Sequence, residues 1–459
     1  MREMNQPEGS FPLSQNQPST PQSPSAPHSP STPHSPSAVR SVELASRYKA
    51  VRHRTLSLVS GLSDADATVQ SMEDASPAKW HLAHTTWFFE TFLLTPHLPD
   101  YRMADPRYAY LFNSYYEQAG ARHPRPRRGM ITRPSLPEVH DYRAHVDDAM
   151  QRLLLRAPPD DILDLLELGL NHEQQHQELL LTDILHLFAQ NPLQPAFRAP
   201  GPLAVRSSGQ IAPLSWKSFD EAIVQIGHPE AEAGFAFDCE GPRHDVVIRP
   251  FQLASRPVLN AEWFDFMADG GYREPTLWLS DGWDVVKARG WDAPFYWERR
   301  DGDWWSMTLR GLQPVDPAAP VCHVSYFEAD AFARWMDKRL PGEAEWEHAA
   351  AGQAIKGNFA DGGRLRPAPP GGACGIEDGL TGLYGDVWEW TQSPYTAYPG
   401  FRPSAGAVGE YNGKFMNGQY VLRGGSCATP EGHVRATYRN FFPPGKRWQF
   451  SGLRLAGDL

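Results

Sequence analysis

Between residues 160 and 189 apolar side chains return every three or four positions without a break, which is the spacing of one face of an α-helix about eight turns long. A helix of that length cannot bury its apolar face alone, so the stretch demands partners. Residues 41–59, 78–94 and 136–156 carry the same period, and four such segments predict a helical bundle. Pro158 and Pro159 end the third segment, and Asp160 and Asp161 suit the positive N-terminal end of the fourth.

Beyond residue 190 the period stops. Residues 191–214 are rich in Pro, Gly and small side chains and read as a linker. Residues 215–459 mix short strand-like runs, such as HDVVIRPFQLA at 244–254, with many Gly, Pro, Asp and Trp and a helix expected at 327–338. A second, loop-rich α+β domain is therefore predicted. Residues 1–40 contain the near-repeat SPSAPHSPSTPHSPSA and too little to bury, so they read as a disordered tail, with His28 and His34 on a solvated chain. The helical domain is left as residues 41–190.

The 43 Lys and Arg against 54 Asp and Glu give a net charge of −11, which weighs against a nucleic-acid backbone or an anionic membrane surface as partner. No apolar run is long enough to span a bilayer, and the first forty residues lack the apolar core of a secretory signal. The four cysteines, at 239, 322, 374 and 427, show no paired spacing, so neither a zinc ribbon nor a disulfide scaffold is indicated. A cytoplasmic protein is expected.

The sharpest local signal lies inside the fourth predicted helix, in Asn171-His172-Glu173-Gln174-Gln175-His176-Gln177-Glu178. His172 and His176, four apart, share a helix face and can aim two imidazoles at one point. A third imidazole can come from the second predicted helix, where Trp80-His81-Leu82-Ala83-His84 offers either His81 or His84. Three neutral imidazoles leave a divalent ion with its full charge, which favours an anionic co-ligand such as a thiolate. On these residues alone a three-histidine zinc hydrolase stays open. Glu178 sits about 240° round the helix from His172 and reads as a hydrogen-bond acceptor to a neighbouring element rather than a ligand.

H-x-x-x-H-x-E in a four-helix domain is followed by Val324-Ser325-Tyr326-Phe327-Glu328-Ala329, then Lys338-Arg339-Leu340-Pro341-Gly342-Glu343-Ala344-Glu345-Trp346-Glu347. Next come Gly385-Asp386-Val387-Trp388-Glu389-Trp390, Leu422-Arg423-Gly424-Gly425-Ser426 and Gly452-Leu453-Arg454. In this order the chain resembles the non-haem iron sulfoxide synthases of ergothioneine biosynthesis. The resemblance implies a multidomain α and α+β protein: a DinB-like four-helix bundle, then a C-type-lectin-like domain of the formylglycine-generating-enzyme type. Most of the second domain's motif residues, Glu345, Trp346, Trp388, Trp390 and Arg423 among them, are expected to hold loops. Formylglycine-generating enzymes hold copper with two cysteines near their C-terminal end; Cys427 has no partner between there and Leu459, so that activity is not expected.

By the same resemblance, Fe(II) is held by His84, His172 and His176, with His81 left behind the site. Gln175 matches a contact to the imidazole substrate hercynine, and Asn440 a contact near its trimethylammonium and carboxylate end. Where the γ-glutamylcysteine-using branch has Trp-Asp after that asparagine, this chain has Phe441-Phe442. Phe112-Asn113-Ser114-Tyr115-Tyr116 and the arginine run from Arg122 to Arg128, with Arg125 first among its candidates, are similar to the branch that takes free cysteine. The implied reaction is an O2-dependent joining of imidazole C2 to the thiol of cysteine, favoured over γ-glutamylcysteine, to give a hercynylcysteine S-oxide, with Tyr115 or Tyr116 as proton donor. The rivals are an ovothiol-type 5-histidylcysteine sulfoxide synthase and a non-catalytic metal- or ligand-binding protein.

Overall fold

A computed structural model describes residues 36–199, 213–229, 234–370 and 379–459. The expected tail up to residue 35, most of the expected linker and Cys374 lie outside the described residues.

Four long helices make the first half: α1 (Pro36–Val59), α2 (Ala78–Phe89), α3 (Leu136–Leu154) and α4 (Asp160–Gln190). Helix α1 begins inside what the sequence assigned to the tail, and a π-helical turn, Glu90–Leu94, follows α2. Ser135 caps α3, its hydroxyl accepting from the Glu138 amide while the Glu138 carboxylate takes the Ser135 amide. The crossing of α2 and α4 is unusually close because Gly169 sits there: a Cβ would lie 2.7 Å from the Phe89 ring. That approach brings the histidine-bearing faces of α2 and α4 together.

The second half is built from small sheets with helices against them. Strands β1 (Trp216–Phe219), β2 (Ala222–Ile226), β3 (His244–Ile248) and β4 (Phe251–Ala254) come first. The single run expected at 244–254 is thus two strands: Arg249-Pro250 breaks it, and β3 pairs with β2 whereas β4 pairs with β1. A meander of β5 (Trp297–Arg300), β6 (Asp303–Thr308) and β7 (Gly311–Pro314) precedes α5 (Tyr326–Trp335) and α6 (Glu343–Ala350). Strands β8 (Trp388–Pro394), β9 (Tyr420–Arg423), β10 (Asn440–Phe442) and β11 (Ser451–Leu453) form one sheet in the order β10-β9-β8-β11. A last strand, β12 (Ala456–Asp458), pairs with β4.

The two halves share a core: the apolar cluster of the bundle continues without a gap into Tyr296, Cys322, Val387, Cys427 and Phe450. The motif residues of the second half mostly hold loops, as expected. Arg423 Nη2 lies 2.7 Å from Glu343 and 2.9 Å from Glu347, and the indole N–H groups of Trp346 and Trp390 donate to Glu389 and to the Val324 carbonyl. Among the described residues no helix is long and apolar enough to cross a membrane.

Candidate metal centre

His84 projects from α2 and His172 and His176 from α4, and their ligand nitrogens all lie within 4.8 Å of one another. The His84 ring is stacked between two indoles of its own helix, Trp80 at 4.5 Å and Trp87 at 5.6 Å, which fixes its plane. Its Nδ1–H donates to the Phe112 carbonyl at 2.6 Å. The opposite nitrogen, Nε2, is buried without a partner, and so is Nδ1 of His172. Buried polar atoms are rarely left unpaired, and the bare Nε2 of His84, beside the His172 and His176 rings, fits a metal ion.

All three rings are neutral at ordinary pH. Burial pushes His172 down to about 4, and burial followed by the neighbouring imidazoles pushes His84 and His176 well below their usual value. A neutral imidazole is the form that binds a metal.

Glu173 corrects one reading left open above. His172-Glu173-Gln174-Gln175-His176 spells H-E-x-x-H, and in a zinc hydrolase that glutamate is the general base. Here Glu173 points away from the triad, fully buried, with Arg52 at 3.0 Å and Arg143 at 2.9 Å. Although burial works against its charge, the two guanidinium groups hold it at about 2. A carboxylate so committed takes no proton from water, so a hydrolase with Glu173 as its base is excluded.

His176 opens onto a cavity of about 230 Å³ between the two halves. Tyr115, Arg125 and Gln175 line it from the bundle, and Asn440, Phe441 and Phe442 from β10. The Gln175 amide donates to the Tyr438 hydroxyl at 2.9 Å, across the junction. Asn440 Oδ1 accepts from the Phe441 amide at 2.9 Å. Phe441 stacks on Tyr395 at 4.1 Å, and Phe442 packs edge-on against Trp448. Arg125 donates to the Tyr115 hydroxyl and to the Asp74 carbonyl.

Tyr116 is not brought to this cavity. Its ring is 3 % exposed and packs on Trp87 and Phe92, and it lines a separate depression on the His172 side of α4.

Three side chains were not singled out for the cavity in the sequence. Trp388, expected only to hold a loop, also lines the wall, and its indole N–H donates to Glu178 at 2.8 Å. Glu178 accepts in addition from the Ser426 and Thr429 hydroxyls, both at 2.6 Å, so the acceptor expected on that helix face ties the bundle to the second half. Arg128 is the third. Buried and lying 3.4 Å above the Trp80 ring, it donates to Ser76 Oγ, has an unpartnered Nε and makes no ion pair among the described residues. Burial, with Arg125 beside it, pushes its guanidinium down to about 9. Nothing in a run of four arginines says which one the fold buries.

Comparison with known proteins agrees with this architecture. Residues 47–180 match the DinB superfamily, and 217–375 with 370–459 match the sulfatase-modifying factor enzyme 1-like domain. The hercynine oxygenase of Mycolicibacterium thermoresistibile is 35% identical over 447 residues, covering 91% of this chain and 95% of that protein. The hercynine oxygenase of Mycobacterium tuberculosis is 33% identical, covering 91% and 99%. The formylglycine-generating enzyme of Streptomyces coelicolor is 29% identical over 57% of this chain and 96% of its own length. With a DinB-like bundle, a formylglycine-generating-enzyme-like domain and relatives matched over nearly their whole length, the chain belongs to the ergothioneine sulfoxide synthase family, the hercynine oxygenases.

Proposed function

We propose that this chain joins hercynine to free cysteine with O2, giving hercynylcysteine S-oxide and water, at Fe(II) held by His84, His172 and His176. The carrying observation is the cluster of three neutral imidazoles, two with buried unpartnered nitrogens and the third, His176, lining a cavity between the two domains. The balance closes without another reductant. Hercynine gives up the C2–H and cysteine the S–H; one oxygen atom ends on sulfur, the other in water. Bound iron supplies the redox centre at which thiolate, imidazole and O2 meet.

The protein's own groups bind and orient. Gln175, its N–H held by Tyr438, presents its carbonyl to the substrate imidazole N–H, and Asn440 lines the same cavity. Arg128, a buried cation without a carboxylate, takes the carboxylate of the thiol substrate. Tyr115 lines the cavity with its hydroxyl held by Arg125 and acts as the proton donor, a role Tyr116 is too far inside the core to share. Phe441 and Phe442 offer no partner to a second amino-acid head group, which supports cysteine over γ-glutamylcysteine.

The test is to load the protein with Fe(II) without oxygen, add hercynine, O2 and either thiol, and identify products by mass spectrometry and imidazole proton NMR. An adduct lacking the C2 proton, formed with cysteine and lost in His176→Ala, is expected. Adduct only with γ-glutamylcysteine would overturn the choice of thiol, and reaction of unmethylated histidine at C5 would replace the reading by an ovothiol-type synthase.

A further inference from the structure

His81 precedes His84 by three residues on α2 and takes no part in the reading above. Its Nδ1 lies 2.8 Å from Nδ1 of His176, and its Nε2 lies 3.0 Å from Oδ2 of Asp183. Asp183 follows His176 by seven residues on α4, two turns further along the same face. The same carboxylate oxygen accepts the Ser76 amide at 2.8 Å. His81 is 3 % and Asp183 7 % exposed.

Two imidazole nitrogens share a contact of that length only when one carries a proton and the other a lone pair. The carboxylate at the far end sets the polarity. Asp183 can only accept, so His81 Nε2 carries the proton of that bond; with a single proton on the ring its Nδ1 is bare, and the proton between the two rings then belongs to His176 Nδ1. His176 is left with its lone pair on Nε2. His84 reaches the same state by a different partner, since its Nδ1–H goes to the Phe112 carbonyl. His172 has no such restraint on Nδ1.

We infer that His81 and Asp183 are positioning residues of the metal centre, which hold His176 in the Nδ1–H tautomer and so deliver its Nε2 to the ion. The inference rests on the three-histidine cluster being a metal site, and not on which substrates react there. Outer partners of metal-bound histidines set ring orientation and ligand basicity, and their loss weakens metal binding by about 10–100-fold.

The test uses the full chain and metal alone. Long-range 15N NMR of the Zn(II)-loaded, histidine-labelled protein should show a proton on Nδ1 of His176 and on Nε2 of His81; the opposite tautomer of His176 would overturn the inference. In parallel, Fe(II) and Zn(II) affinities are measured by competition with a chelator. His81→Leu should bind about 10–100-fold more weakly, and His81→Asn, whose amide oxygen can stand where Nδ1 stood, should recover most of the loss. Asp183→Asn keeps an oxygen for the Ser76 and His81 protons, so the fold survives while the charge is lost, and an intermediate affinity is expected. Affinity within about twofold of the parent in folded His81→Leu, or an equal loss in His81→Asn, would overturn this inference alone. A parent chain that binds neither ion would overturn it together with the metal centre.

Discussion

Tyr115 and Tyr116 are neighbours in sequence with opposite surroundings, one against the cavity and one inside an aromatic core. Tyr115→Phe keeps the ring and removes the proton, so it should divert product from the sulfoxide adduct toward oxidised cysteine, whereas Tyr116→Phe should leave the product ratio as in the parent; mass spectrometry of both reads the difference. Arg128→Leu should raise the KM for cysteine at least tenfold, about 1.4 kcal/mol or more of lost charge-assisted binding, with a smaller change in the KM for hercynine. Steady-state kinetics with each substrate varied in turn check this. At this scale the triad was partly legible. Spacing alone gave His172 and His176 but left His81 and His84 open, because both sit on the face of α2 that meets α4, and resemblance was needed to choose. Arg128 and Asp183 were not legible, since their meaning lies in burial and in contacts across 52 and 102 residues of chain.

Helix α4 serves three neighbours with three faces. Glu173 goes to Arg52 and Arg143, the histidines to α2 and the cavity, and Glu178 to Trp388, Ser426 and Thr429. Glu173→Ala would leave the buried Arg143 guanidinium without a carboxylate and Arg52 with Asp147 alone, and should destabilise the fold by about 3–5 kcal/mol; Glu173→Gln, which still accepts hydrogen bonds, should cost less. Urea unfolding followed by far-UV circular dichroism orders the two. The helices of the bundle were legible within a few residues because their period is sustained over several turns. The helix expected at 327–338 is observed at Tyr326–Trp335, ended by Asp337 at φ 53°, a left-handed position that periodicity does not reveal. The short strands were less legible: their partners are distant in sequence, and the break of the run at Arg249-Pro250 into β3 and β4 shows in their different partners.

Across the whole molecule, pH should act through buried histidines outside the three-histidine cluster as well. Burial, then Arg435, holds His433 at about 3, and burial holds His323 at about 4, against an ordinary 6.5. Below pH 6.5 the unfolded chain takes up protons that the folded one refuses, so stability present at neutral pH is lost as pH falls toward those folded values. Each group removes about 1.4 kcal/mol per pH unit across that window. The thermal midpoint of metal-free protein should therefore drop between pH 7 and pH 4.5, and His433→Gln, which preserves a partner for Tyr438, should flatten part of the slope.

Sequence composition suggested two separable units, but the continuous core and the bonds through Gln175 and Glu178 join them into one working body. Within it, β10 is the edge strand of its sheet, held by a single ladder to β9, and it carries Asn440, Phe441 and Phe442 into the cavity. One side of an edge strand's backbone answers to no neighbouring strand. The three histidines and this part of the cavity wall thus lie on different stretches of the gene. A lineage can recut this margin of the cavity and leave the helices that carry His84, His172 and His176 untouched.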